Sequence, residues 1–167
     1  MSAEHDHMVG SVIAAALAIL ALGAAIAHAQ DGQVIPDPSL TPGVIATTNQ
    51  AEVCGFVGGL SYSQRHRTTT SEMKAEVRRR YGMARCGEID HRGPLALGFA
   101  DVVENLWCQP GPPETWNFKL KDRLETYVWE AVCRHHTMTL DQGQRIFLEP
   151  DWRRPYCELI GGDPCLP

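Results

Sequence analysis

The sequence predicts an α+β domain stapled by disulfides, and three observations carry that expectation. Two segments repeat their apolar residues at helical spacing, around residues 69–82 and 114–131. Between them, Cys86 to Cys108 holds too many glycines and prolines for a helix, and its apolar positions suit short strands. Six cysteines, Cys54, Cys86, Cys108, Cys133, Cys157 and Cys165, lie downstream of an export-like leader, a setting in which an even number reads as disulfides.

From the N-terminus, Met8 to Ala29 carries no Asp, Glu, Lys or Arg and closes on "AHAQD". Ala27 and Ala29 there give the small-x-small pattern of a signal peptidase site. The run is also long enough to span a bilayer, and "MSAEHDH" before it lacks a positive n-region. Residues 1–29 are thus expected to be a signal peptide, with an uncleaved anchor as the other reading. The mature chain would be exported, periplasmic or secreted, with no stable membrane insertion once the leader is cut. Residues 30–50 contain "IPDPSLTPG", and proline fixes φ and removes donors; an extended, loosely held lead-in is expected. Residues 51–167 are enough for one domain with one core.

In "TTTSEMKAEVRRRYG", Thr69 and Glu72 have capping-box spacing, Met73, Val77 and Tyr81 recur every four residues, and Gly82 is a natural stop. After the strand pair, a helix from Glu114 would bury Trp116, Leu120, Leu124, Val128 and Ala131. Thr139 and Gln142 open a third helix that stops before Pro150. The expected order is helix, strand pair, helix, helix, tail.

The net charge of −5 becomes −3 without Glu4 and Asp6, which excludes a globally basic coat for nucleic acid. Ser61 to Arg92 nevertheless holds eight basic residues against four acidic ones; it is either a solvated helix face or a local basic patch. No C-x-x-C occurs, so zinc-ribbon and thioredoxin-like readings have no support.

Asp90 beside His91, Asn105 before Leu106 and Trp107, and Lys121 with Asp122 on the next helix form the chemistry-bearing set. As an isolated dipeptide, Asp90–His91 reads first as a structural pair, a buried imidazole satisfied by its neighbour. With "IDHRGPLALG", "ENLW" and "KDRLETYVWEAVC" followed by "LDQGQRIFLEPDW", the chain resembles the HNH (His-Me finger, ββα-metal) nucleases. It is similar in particular to small exported bacterial HNH-like proteins, a likeness that runs from Asp37 to Trp152 and includes "DPSLTPG".

That resemblance implies a ββα-metal-type core with flanking helices and disulfides, and metal-dependent hydrolysis of nucleic acid, DNA or RNA. His91 would be the general base and Asn105 a catalytic residue that either ligates the cation or holds the loop. Asp90, Asn105 and Asp122 would hold a divalent cation, Mg²⁺ or Mn²⁺ by the hardness of their oxygens, while Arg92 and Lys121 would contact phosphate. The resemblance also pairs Cys54 with Cys133. Two departures stand out: Lys121 and Asp122 lie where the second histidine of the family name would fall, and Arg92–Gly93 replace an aliphatic pair. The alternative is a catalytically silent, disulfide-stapled envelope or binding module. "CRHHT" at Cys133 to Thr137 reads as a solvated helix end, and most of Trp107, Trp116, Trp129 and Trp152 as core.

Overall fold

The antiparallel hairpin around which the chain is arranged has strands β1 (Glu88–His91) and β2 (Leu106–Gln109), with Asp90 opposite Trp107 and His91 opposite Leu106. A computed structural model describes residues 32–165, and the expected leader lies outside them. Three short elements precede the hairpin: α1 (Gln50–Cys54), α2 (Tyr62–His66) and α3 (Ser71–Tyr81). After it come α4 (Phe118–Trp129), running into a π-helical turn at Glu130–Arg134, then α5 (Leu140–Leu148) and α6 (Arg153–Leu159). The result is α+β, and among the described residues no helix is long and apolar enough to cross a membrane.

The local signals explain most boundaries. Thr70, one residue later than the spacing suggests, caps α3 by accepting from the Met73 N–H, because Thr69 is drawn instead to Asp101. Gly82 ends α3 in the left-handed conformation (φ 63°) that favours glycine, and its N–H returns to the last turn. The capping box of Thr139 and Gln142 opens α5 as expected. By contrast, α4 starts at Phe118 and not at Glu114, since Asn117 caps it. Trp116 therefore stays outside the helix and packs edge-on against Trp152 and Tyr156. The expected tail is partly helical: Pro155 sits in the first turn of α6, where no N–H is missed.

Leu97, Phe99, Leu106, Trp107, Leu124, Val128, Val132 and Tyr156 form the centre of the core. Trp152 joins it, and Trp129 packs at its edge. The lead-in is not loosely held. Gln33 N–H donates to the Cys108 carbonyl at 2.8 Å, Trp152 Nε1 to the Val34 carbonyl at 2.6 Å, and the buried Thr41 hydroxyl to the Leu106 carbonyl at 2.8 Å. Backbone polar groups that pass over a core need partners, and these contacts supply them.

All six cysteines pair: Cys54–Cys133, Cys86–Cys108 and Cys157–Cys165, with Cα separations of 5.1, 5.2 and 5.4 Å. Three disulfides suit an oxidising compartment. Cys133 is thereby removed from any metal reading of "CRHHT", and His135 and His136 are exposed beyond the helix end.

Candidate functional site

Strand alternation sends Glu88 and Asp90 to one face of β1 and His91 to the other, so two polar centres form back to back. On the first face α4 brings Lys121, Asp122 and Glu125 over Asp90. Lys121, 1 % exposed, donates from Nζ to Asp90 Oδ2 at 2.7 Å, to the His91 carbonyl at 2.6 Å, and to Glu125. Asp90, Asp122 and Glu125 each offer a carboxylate oxygen, and these atoms lie within 4.8 Å of one another. Asp122 is exposed, which leaves the cluster open to solvent on one side.

One ammonium does not balance this much acid. Burial pushes Glu125 up to about 7, opposed by Lys121 and assisted by Asp90 and Asp122. Asp122 is raised by burial and by Asp90, and Glu88 by burial, Asp90 and Asp122. Burial works against the charge of Lys121, but Asp90 and Glu125 hold its pKa above the usual lysine value. The set is thus short of positive charge, and its all-oxygen donors match a hard divalent cation.

On the other face His91 is 4 % exposed, and its Nε2 lies 2.8 Å from Asp101 Oδ1. Asp101 also accepts from the Thr69 hydroxyl at 2.7 Å and from the Thr68 N–H. Burial lowers the His91 pKa, with the Asp101 hydrogen bond working in the opposite sense. Burial would raise Asp101, yet its bonds from Thr69, His91 and Thr68 hold it below the usual carboxylate range. The imidazole is thus neutral near pH 7 and fixed in orientation, which is what a general base requires.

The remaining expected residues have other employment. Asn105 is fully buried; its Oδ1 accepts from the Gly93 N–H at 3.0 Å, and its Nδ2 donates to the Gly93 and Ala100 carbonyls, both at 2.9 Å. It holds the loop between the strands and has no polar atom left without a partner. Gly93 fits there because a Cβ would come within 2.2 Å of the Phe99 ring.

Arg92 is corrected from a phosphate contact to a buried tie. Its guanidinium donates to the carbonyls of Thr41 at 2.8 Å, Phe147 at 3.2 Å, Leu148 at 2.9 Å and Glu149 at 3.3 Å, where the end of α5 leaves carbonyls unpaired. Lys121 is likewise enclosed and turned to carboxylates, away from phosphate. Two residues escaped the sequence reading. Glu125 could have been found, since it follows Asp122 by one helical turn. Asp101 had no signal beyond lying in the inter-strand loop.

The chain matches no family model, and neither the curated proteins nor the solved structures compared with it give a match. Function has to be read from the side chains themselves.

Proposed function

We propose that this chain is a metal-dependent nuclease with an HNH-type ββα-metal core, exported from a bacterium and hydrolysing phosphodiester bonds of nucleic acid. The observation that carries the reading is the carboxylate cluster of Asp90, Asp122 and Glu125, formed across hairpin and helix one strand residue from the Asp101–His91 pair, on the other face of β1. Asp90, Asp122 and Glu125 would hold Mg²⁺ or Mn²⁺, and such an ion, when bound, supplies Lewis-acid stabilisation of charge on the phosphoryl oxygens.

The protein's own residues supply the rest. His91, kept neutral by burial, takes a proton from the attacking water. Asp101 fixes the ring and stabilises the imidazolium that results, as a buried carboxylate beside an imidazole does. Lys121 holds Asp90 and Glu125 in register across the two elements, while Asn105 keeps the loop from Gly93 to Ala100 closed over His91.

Two observations favour a second reading, the catalytically silent module: Lys121 already neutralises part of the cluster, and the His91 ring is almost fully enclosed. Incubation with plasmid DNA and with RNA, in Mg²⁺, Mn²⁺ or EDTA, separates the two. The nuclease reading expects cleavage that EDTA abolishes. It expects His91→Ala to lower the rate by about 10²–10⁴-fold while divalent-ion binding persists, and Asp122→Ala to lower both. Absence of cleavage in either metal refutes it in favour of the silent module.

A further inference from the structure

The linker that holds Asp101 belongs to a stretch of unusual charge. From Val53 to Ser71 the chain has no Asp or Glu, although its net charge is −5. The stretch opens with a tight hairpin in which Val57 and Leu60 pair across Gly58 and Gly59. At its base Phe56 is 64 % exposed and Val57 60 %, a poor use of apolar surface unless something covers it.

Behind the hairpin lies a cavity of about 440 Å³. Phe56 and Trp129 give it aromatic walls, the buried Tyr62, stacked on His66, lies behind them, Ser63 and Gln64 give it polar edges, and Ala96 of the inter-strand loop closes it on one side. The Arg65 guanidinium lies 5.6 Å over the Tyr62 ring and donates to the Glu52 carbonyl, while its Nε is buried without a partner. At the far end of α2, Arg67 is exposed and has no ion-pair partner among the described residues. The next residue, Thr68, donates its N–H to Asp101, which in turn holds His91.

Aromatic walls, absent acid and a free guanidinium next to a general base match one ligand chemistry in particular. We propose that this strip binds single-stranded nucleic acid: an unpaired base seats between Phe56 and Trp129, and Arg67 holds a backbone phosphate beside His91. The inference rests on the nuclease reading, whose substrate class it narrows. Stacking on aromatic side chains tolerates any base, because each has a π-face. A paired base reaches such a cavity only by leaving its stack, which costs energy that a free strand does not incur. A bilayer would also accept Phe56, Val57 and Leu60, but it has no use for an aromatic cavity or for an arginine set against His91.

The test is fluorescence anisotropy of a labelled single-stranded oligonucleotide, and of the same sequence as a duplex, with the purified full chain in EDTA so that nothing is cut. The single strand is expected to bind at least about tenfold more tightly than the duplex. Phe56→Ala should weaken strand binding by about 5- to 100-fold. Arg67→Gln should weaken it too, and should reduce the steepness of the salt dependence by about 0.7 in log–log slope. Both positions are exposed, so neither variant should change Tm.

Equal affinity for strand and duplex overturns the inference, as do variants that bind like the parent. It is also overturned if Phe56→Ala abolishes sedimentation with phosphatidylglycerol vesicles and leaves oligonucleotide affinity untouched. A chain that binds strands as expected but cuts none with Mn²⁺ keeps the docking strip and refutes the nuclease. A chain that cuts with Mn²⁺ while both variants bind normally keeps the nuclease and refutes the strip.

Discussion

Replacing Asn105 by aspartate separates two roles that a sequence motif leaves joined. Were Asn105 a metal ligand, a carboxylate in its place would strengthen cation binding, since hard cations favour anionic oxygen. As the staple of the inter-strand loop it must do the opposite. The Oδ1 that accepts from Gly93 survives the change, but the Nδ2 that donates to Gly93 and Ala100 becomes an oxygen facing two carbonyls. Two hydrogen bonds are lost, worth about 1 kcal/mol each, and the buried Gly93 carbonyl and the half-buried Ala100 carbonyl then face a carboxyl, adding about 1–3 kcal/mol. The total is about 3–5 kcal/mol, which for a domain of this size lowers Tm by about 10–15 °C. Thermal and urea unfolding followed by circular dichroism in EDTA would measure it. An Asn105→Asp protein that keeps its Tm within about 3 °C, or that binds Mn²⁺ more tightly than the parent, would refute the staple.

Three further outcomes follow from the same geometry. Because Glu125 sits at about 7 and a cation requires its carboxylate, Mn²⁺ binding should release close to one proton well below pH 7 and almost none well above it. Apparent affinity should therefore rise with pH and level off, which calorimetry in buffers of different ionisation enthalpy would read, and Glu125→Gln should flatten the dependence. Asp101→Asn should cut kcat about tenfold or more. It should also move the acid limb of the pH–rate profile to lower pH, because it removes the group that opposes the effect of burial on His91; an unmoved limb would disconnect Asp101 from the reaction. Removing Cys54–Cys133, which closes 79 residues, should cost about 4.5 kcal/mol, against about 2.5 kcal/mol for Cys157–Cys165, which closes 8. Equal losses in chemical unfolding would show that loop length does not govern the difference.

The parts of the fold that were legible in the sequence are those with a local cause. Gly82 and the Thr139–Gln142 box announce helix ends through their own backbone and side-chain chemistry. The hairpin was legible because Gly and Pro break the helical period between Cys86 and Cys108. Helices α1 and α2, five residues each, are too short to display a period at all. Asp101 illustrates the same limit for the site: it meets His91 only because the turn at Leu95–Leu97 and the Asn105 bonds fold the loop back. Arg92 and Lys121 were misassigned because a cation in a motif announces its charge, while, Glu125 apart, the carbonyls and carboxylates that absorb that charge come from residues 30 to 57 positions away. Burial of a long charged side chain is a tertiary fact.

The bridge between Cys54 and Cys133 has a consequence for timing. Asp90, His91, Asp101, Asn105, Lys121, Asp122 and Glu125 all lie within the loop it closes, and Cys86–Cys108 pins the base of the hairpin inside that same loop. Before oxidation, a newly made chain in a reducing cytoplasm must hold all these side chains together without either clasp. If the chain is the nuclease proposed above, it is least competent while it is still among the nucleic acids of the cell that makes it. Full stability comes only where thiols oxidise, so on that reading the disulfides would act as an arming step as much as a reinforcement.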